Sequence, residues 1–263
     1  MSYLRRVKPL AHQGERVMGV WRLHQVIGYG RHSIVYLARH LHDGSRAALK
    51  VARQGTLAEE RAVTMACAHR NVVRVVGHGK EAGVGFLALE HAGRGALPRS
   101  WAQRTPEEAV RLLRDAASAL AHVHALGFVH GDVKPANLLR RGDGDLVLAD
   151  FGCARPAGTL ARPDGPPPGS PLYAAPEYVA GVPMTPGVDV YALGILFYEW
   201  LCGHPAFNGE TASEIQAQHL AAPVPRLPAA LARWQALVDA LLAKQAPQRL
   251  AHASEVLAAL SSA

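Results

Sequence analysis

Val129-His130-Gly131-Asp132-Val133-Lys134-Pro135-Ala136-Asn137-Leu138-Leu139, followed by Leu146-Val147-Leu148-Ala149-Asp150-Phe151-Gly152, is the stretch that decides how the rest of this chain is read. It reads as a small loop holding Asp132, Lys134 and Asn137, then a short apolar strand that delivers Asp150. Asp132 is a candidate base, Lys134 a compact positive charge, and Asn137 and Asp150 are oxygen ligands of the kind magnesium selects. A base, a lysine and a magnesium cage describe phosphoryl transfer. Any one such residue is more often part of a solvated surface loop. The joint spacing Asp-x-Lys-x-x-Asn, with a second Asp-Phe-Gly behind it, argues against accident.

The segment resembles the catalytic loop and magnesium-binding Asp-Phe-Gly of eukaryotic-type protein kinases, and Lys two residues after the Asp resembles the Ser/Thr branch. One departure is Gly131, where the family has Arg. The resemblance covers about residues 18 to 260. It implies an α+β fold of two lobes within a single domain, 1–263: a small β-rich N-lobe (1–91), a hinge (92–95) and a larger, mainly helical C-lobe (96–263).

Composition sets bounds around this reading. A chain of 263 residues, 49% apolar, can bury a substantial core and is not a disordered segment. No apolar run reaches the roughly 20 residues that cross a bilayer, and Met1 to Arg16 lacks the apolar core of a signal peptide. Cys67, Cys153 and Cys202 are not spaced for metal, so a reducing cytoplasm is the expected setting. The formal charge of +7 is compatible with acidic partners or with ATP steering, but also with an Arg-rich, bacterial-looking composition. No basic stripe interleaved with aromatics points to nucleic acid.

Along the chain, Val17 to Val26 suits a strand. Ile27-Gly28-Tyr29-Gly30-Arg31-His32-Ser33-Ile34-Val35 then sets glycines between two strands, where successive N–H groups can form an anion nest. By itself this is a hairpin turn. It resembles the kinase glycine-rich loop, with Ser33 in place of the third Gly. The resemblance assigns ATP to Ile27, Gly28, Tyr29, Gly30, Ser33 and Val35, and then to Ala48 and Lys50 of the strand Ala47-Ala48-Leu49-Lys50-Val51. Thr56-Leu57-Ala58-Glu59 reads as a capping box, which leaves Glu60 free to reach Lys50. Val72 to Val76 and Phe86 to Leu89 read as strands around a Gly-rich turn. Glu90-His91-Ala92-Gly93-Arg94-Gly95 resembles the hinge, where backbone groups of Glu90 and Ala92, with Leu89 behind them, would meet the adenine edge.

Thr105-Pro106-Glu107-Glu108 is a helix start, and Val110, Leu113, Ala117, Leu120 and Val123 continue at helical spacing up to a stop at Gly127. Cys153 to Gly169 is a Pro- and Gly-rich loop. Gly169-Ser170-Pro171-Leu172-Tyr173-Ala174-Ala175-Pro176-Glu177 resembles the substrate-positioning segment, with Ser170 bridging the catalytic Asp and Lys, and Glu177 pairing with Arg249. Val188-Asp189-Val190 resembles the start of the central buried helix, where Asp189 would hold the catalytic-loop backbone. Trp234 to Leu242 and Ala253 to Leu260 read as closing helices.

The implied activity is transfer of the ATP γ-phosphoryl to a Ser or Thr hydroxyl of a protein, as in a non-specific serine/threonine protein kinase. In that reading Lys50, set by Glu60, orients ATP. Asn137, Asp150 and Leu139 face the metal and nucleotide, with magnesium, or manganese in its place, held by Asn137 and Asp150. Asp132 receives the hydroxyl proton, and Lys134 and Ser170 complete the catalytic set. Two other readings stay open: a small-molecule phosphotransferase of the aminoglycoside or choline type, since His-Gly-Asp also opens that group's loop, and a nucleotide-binding pseudokinase scaffold. With Gly131 in place of Arg, the expected enzyme needs no phosphate on its activation loop.

Overall fold

Alternation of period two dominates residues 21–51, and it is realised as sheet. The computed structural model describes residues 17–30, 32–98, 103–160 and 171–262. By contact the chain divides into two units, one comprising the chain through Ala62 with Arg74–His91, the other Val63–Val73 with the chain from Ala92 on.

The first unit is built on six strands: β1 (Val17–Met18), β2 (Trp21–Tyr29), β3 (Ser33–His40), β4 (Arg46–Ala52), β5 (Val75–Glu81) and β6 (Val84–Glu90). They form one antiparallel sheet in the order β1-β2-β3-β4-β6-β5. Trp21, Leu23, Ile34, Tyr36, Ala38 and Leu49 point to one face and bury together. The strand expected over Val17–Val26 is broken after Met18 by Gly19, at φ +58, whose N–H donates to Glu81 Oε2 at 2.6 Å. The strand expected over Val72–Val76 is also different. Val72 makes only an isolated bridge to Leu148, and β5 runs from Val75 through two glycines to Glu81. Gly79 belongs to the strand because the Phe86 ring lies over it: a Cβ there would sit 2.6 Å from Phe86 Cζ. The turn falls at Ala82 and Gly83, both at positive φ.

Helix α1 (Ala58–Ala66) crosses the division between the units. Its entry differs from a capping box, since the Thr56 hydroxyl accepts from Ala58 N at 3.3 Å. Val63–Val73 belongs with the second unit because Cys67 and Val72 bury in its core and Val73 N donates to Leu148 O at 2.9 Å.

The second unit starts its helical part with α2 (Pro106–Ala125), where the Thr105 hydroxyl accepts from Glu108 N at 3.2 Å and Pro106 occupies the first turn. Gly127 follows at φ +80. Short strands β7 (Phe128–Val129), β8 (Leu138–Arg140), β9 (Leu146–Leu148) and β10 (Arg155–Pro156) pair as β7 with β10 and β8 with β9. Next come α3 (Pro176–Val179), α4 (Gly187–Cys202), α5 (Ala212–Ala221), α6 (Gln235–Leu242) and α7 (Ala253–Ser261). Every residue of α4 except Cys202 is buried, as an all-round apolar helix requires, and α2, α6 and α7 pack on it. Gly203, in the left-handed region, ends it. The helix expected from Trp234 begins one residue later, after a 3₁₀ segment over Ala229–Trp234. Helix α5 was not anticipated, although Thr211, which accepts from Glu214 N at 3.2 Å, carries a Thr-x-x-Glu start signal. Among the described residues no helix is long and apolar enough to cross a membrane.

Candidate active site

In the first unit, β2 hands over to β3 through a turn closed by Gly30 N donating to Ser33 O at 2.9 Å. A Cβ on Gly30 would lie 2.6 Å from Ser33 Oγ, so the turn with this buried serine demands glycine. Gly28 packs at ordinary distance on Val35. Ile27 and Tyr29 are 44% and 70% exposed at the tip. Register then places Val35 opposite Lys50 and Ala48 opposite Leu89, on one face of the sheet.

Lys50 Nζ lies 2.7 Å from Glu60 Oε1, with both side chains almost fully buried. The pair forms despite the short connection from β4 to α1, and of the two adjacent glutamates it is Glu60 that turns inward while Glu59 stays exposed. A buried cation is tolerable only with such a partner.

The expected hinge groups are partly committed already. The Glu90 N–H donates to Arg74 O at 2.8 Å, and its carboxylate accepts from Arg74 N at 2.9 Å. In the second unit the Ala92 carbonyl accepts from Gly95 N at 2.9 Å. Leu139 is half-buried in β8.

The loop between β7 and β8 gathers Asp132, Lys134 and Asn137. Lys134 Nζ is 2.7 Å from Asp132 Oδ2, and Asn137 Nδ2 donates to that same oxygen at 3.0 Å and to the Asp132 carbonyl at 2.8 Å. Among the described residues Asp132 Oδ1 accepts from none. Asn137 spends its amide hydrogens on Asp132, which leaves its side-chain carbonyl as a hard oxygen donor. Ala149 N donates to Asn137 O at 2.9 Å, so the backbone brings Asp150 next to Asn137. Asp150 itself is left-handed, at φ +64 and ψ +73, a costly conformation for a non-glycine residue that recurs at functional sites. An amide oxygen and a carboxylate fit magnesium, which keeps further positions for water and phosphate. Among the described residues no group of three His, Cys, Asp or Glu side chains is placed to hold a metal by itself. Ser170 lies outside the described residues.

Asp189, at the start of α4, holds this loop from below. Its two oxygens accept from His130 N and Gly131 N, each at 2.8 Å, and from His124 Nε2 at 3.0 Å. Burial pushes its carboxyl up, but the His124 bond, the neighbouring imidazoles and the Gly131 N–H outweigh it and hold the group below the usual range. His130 is fully buried. Its Nδ1 accepts from Asp132 N at 3.3 Å, its Nε2 meets Ala149 O at 3.1 Å, and its ring meets Phe151 edge-on at 5.0 Å. Sequence reasoning gave neither His124 nor His130 a role. The available signal was His124 itself, a polar side chain beside Leu120 and Val123 on the buried face of α2.

The segment from Pro171 to Val179 is anchored twice. Glu177 takes a bidentate bond from Arg249, at 2.6 and 3.0 Å, and Arg249 also donates to Gly187 O and Ala243 O and lies over the Tyr191 ring at 4.8 Å. Tyr173 OH donates to Glu199 Oε2 at 3.2 Å, and burial pushes the Glu199 carboxyl up to about 7.

Residues 21–259 match the protein kinase domain family. The chain is 39% identical over 167 residues to serine/threonine-protein kinase PknL of Mycobacterium tuberculosis, covering 62% of this chain and 42% of that one. It is 30% identical over 226 residues to serine/threonine-protein kinase PrkC of Bacillus subtilis, covering 81% of this chain and 35% of that one. With serine/threonine-protein kinase PkaA of Streptomyces coelicolor the identity is 41% over 177 residues, covering 64% and 32%. The matches thus span less than half the length of each of these three relatives.

Proposed function

Because the chain belongs to the protein kinase domain family, we propose that it transfers the γ-phosphoryl of ATP to Ser or Thr hydroxyls of proteins, as a non-specific serine/threonine protein kinase. The observation that carries this reading is the Asp132 carboxylate, steered by Lys134 and Asn137 through one oxygen, with no described residue bonded to the other. An acceptor hydroxyl bonded to Oδ1 would be oriented for in-line attack and would give up its proton there. Lys134, already beside Asp132, is placed to offset charge on the transferred group. Lys50, kept in position by Glu60, is assigned to the ATP phosphates, the glycine-rich turn to covering them, and Ala48, Leu89 and Leu139 to the adenine. Asn137 and Asp150 would hold magnesium or manganese, which when bound neutralises the phosphates. Little covalent work is needed from the protein, since positioning and charge stabilisation supply most of the rate. Lys134 and the anchored segment from Tyr173 to Glu177 favour a protein acceptor over a small molecule.

The test is to incubate the purified chain with labelled ATP and magnesium, first with a generic basic protein and then with aminoglycosides. Label on Ser and Thr of the protein is expected. Label on the aminoglycoside alone makes it a small-molecule phosphotransferase, and no transfer with retained nucleotide binding makes it a scaffold.

A further inference from the structure

Arg22, Arg39 and Arg46 stand opposite one another across β2, β3 and β4, Arg22 paired with Arg39 and Arg39 with Arg46 in the strand register. All three are exposed. Paired residues leave a sheet on the same side, so the guanidinium groups form one row with rungs roughly 4.7–4.9 Å apart. His91, just beyond β6, extends the row. Burial and then the charge of Arg46 hold its imidazole below the ordinary range. Among the described residues no carboxylate bonds to any of the three arginines. Asp43, in the turn between β3 and β4, is spent on His40 and the Ser45 N–H. Glu90 is spent on Arg74 N and lies opposite Ala47, whose side chain is on the buried face.

Like charges placed directly opposite weaken a sheet. The row therefore costs the isolated chain stability, and an anion laid along it reverses that cost. We propose that this arginine row docks an acidic helix of a protein partner. Carboxylates at i, i+3 or i+4, and i+7 of a helix recur about every 5–6 Å, close to the spacing of the rungs. Each guanidinium fork matches a carboxylate in two-point contact. None of the rungs is Phe, Tyr or Trp, the side chains on which nucleic-acid bases stack. The row shares the sheet face of Val35, Ala48 and Lys50 but none of its members is assigned to phosphoryl transfer, and binding to it is measurable without any turnover.

The experiment is fluorescence anisotropy of the full chain with a labelled helical peptide carrying Glu at those positions, against the same peptide with Gln. The wild type is expected to prefer the Glu peptide by at least about tenfold, three exposed ion pairs of ordinary strength. The R22Q/R39Q/R46Q variant is expected to lose that preference, with a thermal midpoint equal to or above wild type because the repulsion is gone. R39Q alone, which removes the central rung, is expected to bind at least about threefold more weakly. Equal binding by wild type and R39Q overturns the proposal, as does tighter binding to single-stranded RNA or to phosphatidylserine vesicles than to the Glu peptide.

Discussion

Asp132 receives Lys134 and Asn137 on one carboxylate oxygen, and that asymmetry decides what a substitution would do. Asp132→Asn keeps shape and most of the packing but removes the proton acceptor. Turnover is expected to fall about 10²–10⁴-fold while ATP affinity stays near wild type. A variant that keeps more than about a tenth of the wild-type rate would take Asp132 out of the base role. Gly131 offers a second residue-scale test. It sits at φ +73, and an added Cβ would lie 3.3 Å from Met184 Sδ and 3.4 Å from Cys153 O. Gly131→Ala is therefore expected to lower stability by about 1–2 kcal/mol, the cost of a left-handed non-glycine residue. Unchanged denaturant unfolding would show that the loop relaxes around it. The grouping of Asp132, Lys134 and Asn137 was legible in sequence because all three fall within one short loop. His124 was not, because its partners, Asp189 and Ala253, are far away along the chain.

At the scale of elements, α4 organises the second unit, and the resemblance of Val188-Asp189-Val190 to the start of a central buried helix pointed to it. What that resemblance could not show is how much the packing around Glu177 and Arg249 is worth. Arg249 is 5% exposed, and its guanidinium is shared among Glu177 and several carbonyls. Arg249→Ala leaves Glu177 with an uncompensated, mostly buried charge, so a stability loss of about 3–5 kcal/mol is expected. Arg249→Lys should recover little, since the two-point contact needs the planar fork. A loss below about 1 kcal/mol in denaturant unfolding would mean the pair is dispensable. Helix α5 escaped sequence reasoning, and the strand expected over Val72–Val76 lies further on, at β5, for opposite reasons. The first has little apolar periodicity, and the second contains Gly77 and Gly79, the latter required by the Phe86 ring. The loop after β9 bears on control. Arg155 is turned onto the carbonyls of Gly152 and Ala154, and the Thr159 hydroxyl onto Pro156 O at 2.7 Å, so neither side chain stands ready for a phosphate-dependent clamp. With Gly131 offering no cation, phosphatase-treated protein and Thr159→Ala are expected to stay within about tenfold of untreated wild-type activity, about 1.4 kcal/mol in the barrier. A greater loss in either would establish loop phosphorylation as the switch.

For the whole molecule, two buried groups of the second unit pull its stability in opposite directions as pH changes. Burial pushes Glu199 up from 4.5 to about 7, so between those values the folded chain keeps a proton that the unfolded chain has lost. Its contribution is full below pH 4.5 and is lost as pH rises toward 7. Burial, with the charge of Lys244 behind it, pushes His219 down from 6.5 to about 4. There the unfolded chain binds the proton first, so stability is lost as pH falls from 6.5 toward 4. Each displacement is on the order of 3 kcal/mol, with opposite sign, so in the shared window from 4.5 to 6.5 they nearly cancel. These two groups together thus leave the midpoint almost flat across that window. Asp189 is held below the ordinary carboxylate range, so the stability it contributes is present above that range and is lost as pH falls through its lower folded value. Glu199→Gln keeps the acceptor for Tyr173 and abolishes one of the two slopes. The variant is expected to gain stability over wild type progressively from pH 4.5 to 7, approaching about 3 kcal/mol at pH 8, and to show the tilt of His219 alone. Denaturant titrations of both proteins at pH 4.5, 5.5, 6.5 and 8 decide it. Parallel pH profiles for wild type and Glu199→Gln would mean that Glu199 is ionised in the folded chain throughout, and that its buried carboxylate is satisfied by more than Tyr173.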